Sequence, residues 1–336
     1  MLIPECAAAK SKAEFQKGIC YVTWAKSRYL SGASDESLKE LAKTGAKWVA
    51  LTVNWYQDRC DTTDIFSTEK TASDASLIHA IEVIHSLGMK VLLKPHLDLV
   101  DVTSGGWRGE IACVTEPDWE VWFNNYANFV LHYAEIAQKH KVEIFCIGTE
   151  LTQAAAAKEK LWRTKVIAPV RKIYEGPITY AANWNEEYSQ VGFWDALDYI
   201  GIDAYFPLSE ADNPNLADLK RGWEVWVKDI EKLQAKVNKP VIFPEVGYCS
   251  AVGTASTPWT EITNTSVDLE LQANCYKALF ETFWEKEWFY GAYWWRWGTD
   301  VRFGGPSSKG YSFQNKPAQD VVTEWYKKNR QVKSKY

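Results

Sequence analysis

Short runs dense in β-branched and aromatic residues alternate along this chain with longer stretches whose apolar residues recur every three or four positions. The first pattern predicts buried strands and the second predicts helices packed along one face. Strands are expected at Gly18 to Trp24, Trp48 to Asn54, Lys90 to His96, Glu143 to Glu150, Ile178 to Asn183, Tyr199 to Tyr205, Val241 to Val246 and Phe289 to Trp297. The first helix is read with Ser34 as its N-cap, reaching Lys43, with Gly45 as the closing glycine. Ser73 to Leu87 ends in the same way at Gly88. The helix from Asp118 to His140 carries Trp119, Trp122, Phe123, Tyr126, Phe129, Val130 and Tyr133 at helical spacing. Further helices are expected at Lys158 to Tyr174, Trp223 to Val237, Val267 to Lys286 and Ala318 to Lys328. The fifth crossover is the thinnest, with only Glu186 to Phe193 between its strands.

Eight strand–helix units in succession predict parallel strands with helical crossovers, an α/β class. An open doubly wound sheet would want a glycine-rich phosphate loop after its first strand. Here that place holds Thr23-Trp24-Ala25-Lys26. The expectation is therefore a single (β/α)8 TIM barrel. No glycine, serine or proline stretch is long enough to link domains, so residues 1–336 are read as one catalytic domain with its barrel at about 15–328. In such a barrel, catalytic groups gather at the C-terminal ends of the strands.

Composition sharpens this picture. With 336 residues and 46% hydrophobic content, the chain can bury a large core without disulfides or metal. A net charge of -5 argues against a nucleic-acid partner. No run of about 18 apolar residues exists to cross a membrane. The 18 Trp and 17 Tyr are unusual, and several Trp stand beside polar residues at strand ends, as in Asn54-Trp55, Asn183-Trp184 and Trp294 to Trp297. Indole has a flat apolar face and one donor, which suits a half-wet surface on which a sugar ring stacks; a tryptophan-rich core is the plainer alternative. Of the seven cysteines, Cys20, Cys146 and Cys275 read as buried hydrophobes. Cys60 and Cys113 fall in neighbouring loops and could pair if the protein is exported. No cysteine or histidine pattern suggests a metal, and no cofactor motif is present. Met1 to Lys12 lacks the apolar core of a signal peptide. Secretion or a cell-surface or periplasmic place, with a leader already removed, is the expectation, and cytoplasmic action on imported oligosaccharides is its alternative.

The residues at the strand ends form the informative set. They are Trp24, Asn54 with Trp55, His96, Glu150, Asn183 with Trp184, Asp203 with Tyr205, Glu245, and Trp295 with Trp297. Burying a glutamate without a partner costs several kcal/mol, so one at a strand terminus is either solvated or functional. Glu150 and Glu245 end the fourth and seventh strands, which face each other across an eight-stranded mouth. Two facing carboxylates are what glycoside hydrolysis requires, one protonated to release the leaving oxygen and one ionised at the anomeric carbon.

Six segments make a resemblance specific: Lys17-Gly18-Ile19 with Trp24, Leu93-Lys94-Pro95-His96, Ile147-Gly148-Thr149-Glu150-Leu151, Ile200-Gly201-Ile202-Asp203-Ala204-Tyr205, Pro244-Glu245-Val246-Gly247-Tyr248, and Trp294-Trp295-Arg296-Trp297. From about Phe15 to Trp325 the chain resembles glycoside hydrolase family 113 of clan A, known for endo-β-1,4-mannanase activity. The resemblance implies a retaining mechanism with Glu150 as acid/base and Glu245 as nucleophile, their carboxyls ~5–5.5 Å apart rather than ~6.5–9.5 Å. It implies β-mannan or manno-oligosaccharide as substrate, a monomer, and no cofactor. Most of the clan has Asn before the acid/base; Thr149 stands here and leaves open which group binds the sugar 2-hydroxyl. Tyr205 is placed to hold Glu245. Trp297 is expected to be the platform under the sugar at the cleavage point, with Trp295 as second candidate on the same strand face. Trp24, Asn54, Lys94, His96, Asn183 and Asp203 are further substrate-binding candidates. In the loop Gly105 to Glu110, Trp107 and Arg108 could touch a distal sugar. The competing readings are another β-glycosidase, a non-catalytic sugar-binding barrel, and an aldolase using Lys94 as a Schiff base.

Overall fold

The computed structural model describes residues 14–101, 106–211, 213–262 and 264–330. Eight parallel strands close into a barrel in chain order. They are β1 Gln16–Tyr21, β2 Trp48–Gln57, β3 Lys90–Leu99, β4 Ile144–Thr149, β5 Ile178–Asn183, β6 Ile200–Asp203, β7 Val241–Val246 and β8 Phe289–Trp297. Closure comes from β1 pairing with β8. The helices outside are α1 Gly32–Lys43, α2 Asp74–Ser86, α3 Glu116–Lys139, α4 Thr152–Ala157, α5 Glu159–Leu161, α6 Ala168–Ile173, α7 Glu187–Gln190, α8 Leu216–Val237, α9 Leu269–Phe283 and α10 Pro317–Lys327.

Two cores follow from strand alternation. Cys20, Ala50, Leu92, Cys146, Ala181, Ile242 and Tyr293 point into the barrel. Their neighbours, such as Ile19, Val49, Leu93, Phe145 and Trp294, point outward and pack under the helices. The apolar stripe of α3 is buried as its spacing predicts, from Trp119 through Tyr133. Burying each such side chain contributes about 1.5–3 kcal/mol.

Where boundaries differ from expectation, the reason is local. Ser31, not Ser34, caps α1, and its side chain accepts from the Ser34 backbone N–H. The Ser34 hydroxyl is buried against the Tyr21 hydroxyl at 2.7 Å and is not free to cap. Gly45 and Gly88 do close their helices, with φ of +87° and +73°, a left-handed region open to glycine. The helix expected at Lys158 to Tyr174 is composite: α5 runs through a π turn at Trp162–Ile167 into α6. Pro169 offers no N–H, so the Lys165 carbonyl has no α-helical donor there. β2 and β3 run three residues past their expected ends because Trp55, Tyr56 and Gln57 pair with Leu97, Asp98 and Leu99. The thin fifth crossover holds only α7 and a single turn at Trp194–Ala196.

Among the described residues, no helix is long and apolar enough to cross a membrane. The start Met1 to Lys12 lies outside the described residues. The loops of Cys60 and Cys113 are neighbours as expected, with the Ala112 N–H donating to the Cys60 carbonyl at 3.0 Å. Both thiols are free, so the pairing that an exported protein would allow is not formed here. The Cys60 Sγ turns instead toward the Trp107 carbonyl.

Candidate active site

A cavity of about 610 Å³ opens at the C-terminal mouth of the barrel. Its walls include His96, Arg108, Glu150, Asn183, Tyr205, Glu245 and Trp295. The two glutamates that sequence order places on opposite strands therefore face one space.

Their surroundings differ. Glu245 is the penultimate residue of β7 and is almost fully buried. Its Oε1 accepts from the Lys94 ammonium at 2.5 Å, and its Oε2 from the Tyr205 hydroxyl at 2.8 Å. Lys94 is fully buried and also pairs with Asp203, 3.2 Å away. Burial disfavours the ammonium, but Asp203 and Glu245 together outweigh it, so the Lys94 pKa lies above the ordinary lysine value. A lysine held protonated between two carboxylates is not a Schiff-base nucleophile, which removes the aldolase reading. Burial raises the Tyr205 hydroxyl far above its ordinary pKa, and the neighbouring Glu245 adds to the rise, so the phenol remains a donor.

Glu150 follows β4 in a left-handed backbone conformation, φ 51°. Its Oε1 accepts from Asn183 Nδ2 at 2.8 Å, and Arg108 Nη1 stands 3.7 Å from Oε2. Burial pushes the Glu150 carboxyl above the ordinary range, Arg108 opposes that rise, and Glu245 adds to it. Arg108 donates to Asp98 and lies 3.3 Å from His96 Nδ1. Burial, with the charges of Arg108 and Lys94, holds His96 well below its ordinary value, so its ring is neutral. With Nδ1 accepting from Arg108, the proton sits on Nε2. That atom is 3.5 Å from Glu245 Oε1 and makes no hydrogen bond with the protein.

The aromatic walls complete the site. Trp295 lies nearly parallel to the His96 ring, centroids 6.3 Å apart. Trp184 and Trp259 stack at 4.8 Å on the same cavity. A second hollow of about 380 Å³, lined by Trp24, Tyr56, Asp98 and Lys70, shares Trp107, Arg108 and Glu150 with the first. Glu150 thus borders two hollows.

The sequence model of Glycoside Hydrolase Family 113 matches residues 21–316. The chain belongs to this family. It is accordingly a glycoside hydrolase on a (β/α)8 barrel. A solved structure described as a complex of a family 113 β-1,4-mannanase is 30% identical, with a TM-score of 0.85 over 94% of this chain and 100% of that one. The β-mannanase AaManA from Alicyclobacillus acidocaldarius, in complex with ManMIm, is 30% identical with a TM-score of 0.83, over 94% of this chain and 97% of that one. A Bifidobacterium dentium β-glucuronidase is 12% identical at a TM-score of 0.62, over 95% of this chain and 47% of that one, and is alike in fold alone. No curated protein matches the chain in sequence.

Within this family member, the sequence-predicted residues divide into three groups. Glu150, Glu245, Tyr205, His96, Asn183 and Trp295 come together on the main cavity. Trp24, about two-fifths exposed, stands on the second hollow. The remaining four do not reach the space. Trp297 is buried, its indole N–H donating to Ser37 Oγ at 3.0 Å. Simple alternation would put Trp295 and Trp297 on one face. However, β1 advances two residues from Ile19 to Tyr21 while β8 advances three, from Trp294 to Trp297, and the extra residue turns Trp297 outward. The peptide between Trp295 and Arg296 is cis. Asn54 is spent on Asp98, at 2.5 Å. Lys94 and Asp203 lie beneath the floor, paired with one another.

Arg108 and Asp98 were only weakly legible. Asp98 lies two residues beyond His96, so strand alternation carries it to the same face, provided the strand is read to Leu99. Arg108 stood in a loop whose first residue, Gly105, is outside the described residues. Trp259 comes from a long loop with no periodicity to betray it, whereas Tyr311 ends the long glycine-rich segment Trp297 to Tyr311, whose composition by itself suggests a cleft wall.

Proposed function

We propose that this glycoside hydrolase is a retaining endo-β-1,4-mannanase, with Glu245 as nucleophile and Glu150 as acid/base. The observation that carries the reading is the asymmetry of the two carboxyls across one cavity. Glu245 is held from both oxygens by Lys94 and Tyr205, while Glu150 is pushed up by burial and by the charge of Glu245. In the first step Glu245 attacks the anomeric carbon, and Glu150 gives its proton to the departing glycosidic oxygen. A glycosyl ester forms on Glu245, which then no longer carries charge. Loss of that charge lowers the Glu150 pKa and readies it to take a proton from the incoming water. Water attacks the anomeric carbon, Glu150 takes up a proton from it, and Glu245 leaves as carboxylate.

Trp295 supplies the platform beneath the sugar, the place first expected of Trp297. His96 Nε2, a free donor beside Glu245, suits the 2-hydroxyl for which Thr149 offers no amide. Two hollows bordered by Glu150 support cleavage inside a polymer, since a single closed pocket would admit only chain ends.

The test is product size from β-mannan and manno-oligosaccharides, with Glu150→Ala and Glu245→Ala beside the native chain. Oligomers of mixed length are expected from the native enzyme. Mannose alone would point to exo action, and activity confined to glucan or galactan would overturn the substrate. Either variant should fold and lose several orders of magnitude in turnover on mannan, and near-full activity would remove its assigned role.

A further inference from the structure

Glu187 is a fully buried carboxyl that no step above uses. It opens α7, immediately after Glu186, whose left-handed backbone (φ 66°) turns the chain inward. From there it gathers donors from β5 and from the first residue of α4, on the acid/base side of the cavity. Its Oε2 accepts from the Asn183 backbone N–H at 2.6 Å and from Thr152 Oγ1 at 3.0 Å. Its Oε1 accepts from the Tyr180 hydroxyl at 2.5 Å, and that hydroxyl accepts from the Leu151 backbone N–H at 2.8 Å.

Every one of these ties ends beside Glu150. Leu151 and Thr152 are the two residues after it, and they continue from its left-handed φ. Asn183 is the residue whose Nδ2 donates to Glu150 Oε1. The Asn183 side chain is fixed at its other end too, because Oδ1 accepts from the Asn185 N–H at 2.8 Å. The left-handed conformation of Glu150, at a non-glycine residue, is strained and persists only where surrounding contacts over-determine it. A buried carboxyl, moreover, is costly unless its oxygens are satisfied.

We propose that Glu187 is a positioning residue for proton transfer, acting through Asn183 and the Glu150–Thr152 turn to hold the Glu150 carboxyl toward the glycosidic oxygen. The inference rests on the reading of Glu150 as acid/base. Burial also pushes the Glu187 carboxyl up to about 8, and the charge of Glu150 adds to that rise, as expected of two carboxyls sharing one corner.

The test compares leaving groups. A proton donor matters for a sugar leaving group and hardly at all for dinitrophenolate. Glu187→Gln, Tyr180→Phe and Glu150→Gln are assayed for kcat/KM, which reports the first bond cleavage, on mannohexaose and on a dinitrophenyl β-mannobioside. Glu187→Gln is expected to lose tenfold or more on mannohexaose and less than threefold on the aryl substrate. Tyr180→Phe, which removes the hydrogen bonds of that hydroxyl to Glu187 and Leu151 but leaves Asn183 and Thr152 on Glu187, should show a smaller loss with the same selectivity, and it carries the test if Glu187→Gln does not fold. Equal losses on both substrates, or no loss on mannohexaose, would overturn the proposal. If Glu150→Gln itself lacks the selective loss, the acid/base assignment falls and this inference falls with it. If Glu150→Gln shows it and Glu187→Gln does not, the inference alone fails.

Discussion

At the scale of single residues, the site sets Glu150 between opposing influences. Burial and Glu245 favour its protonated form, and Arg108 favours the ionised form. A general acid works only while it holds its proton, so activity falls as pH rises through its pKa. The basic limb of kcat/KM should therefore lie above the ordinary glutamate value of ~4.3. Arg108→Leu removes the larger of the two lowering charges, the other being Lys94. It should raise the Glu150 pKa and move the basic limb to higher pH, as read from a kcat/KM profile on an unactivated substrate. A limb that stays in place or moves down would show that Arg108 does not act on Glu150. Glu150 and Glu245 were legible in the sequence because each ends an apolar run at a strand terminus. Glu187 was not: an acidic residue in a helical first turn reads as solvated, and only the fold shows Tyr180, Thr152 and Asn183 closing over it.

At the scale of elements, Lys94 ties three strands beneath the cavity floor, joining β3 to Asp203 on β6 and Glu245 on β7. Removing one partner of a buried ion cluster leaves the rest uncompensated, typically at about 3–5 kcal/mol. Lys94→Met should lower stability by that amount in urea unfolding, because Asp203 then lies buried without its cation. Replacing Asp203 by Leu in the same variant should recover part of the loss; an unchanged unfolding midpoint for Lys94→Met would contradict this account of the floor. Lys94 and Asp203 read as sugar ligands in the sequence because their register put them near strand ends. The ends themselves were misjudged where polar residues interrupt apolar runs. Asn54 and His96 look like terminators, yet β2 and β3 go on pairing to Gln57 and Leu99. The displacement of Trp297 depends on one extra residue in β8, and no periodicity records a register shift of that kind.

At the scale of the whole molecule, the barrel class was legible from the repetition of eight units, and the mouth followed from strand order alone. Of the groove's walls, the glycine-rich segment from Trp297 to Tyr311 was legible by composition, but the contacts that fix its course and that of the loop after β7 were not, because they are tertiary. Tyr311, for example, is held by its hydroxyl donating to the Pro258 carbonyl at 2.6 Å. On that wall Trp259 is about half exposed and backed by Trp184. If the stacked pair carries sugar units away from the cleavage point, Trp259→Ala should weaken binding of long substrates by about 0.5–1.5 kcal/mol, roughly two- to tenfold in KM. The kcat/KM for a short aryl mannoside should stay the same. Equal effects on long and short substrates would place Trp259 outside the binding path.

The most direct measurement of the two-glutamate chemistry is covalent trapping. A 2-fluoro-β-mannosyl fluoride slows both steps but carries a leaving group that departs without a proton, so a retaining enzyme accumulates its glycosyl ester. Digestion and mass spectrometry of the treated protein should find the fluoromannosyl group on the peptide around Pro244-Glu245-Val246, attached to Glu245. A label on Glu150 or another residue, or turnover that yields inverted product with no label at all, would contradict the assignment of Glu245 as nucleophile and Glu150 as acid/base.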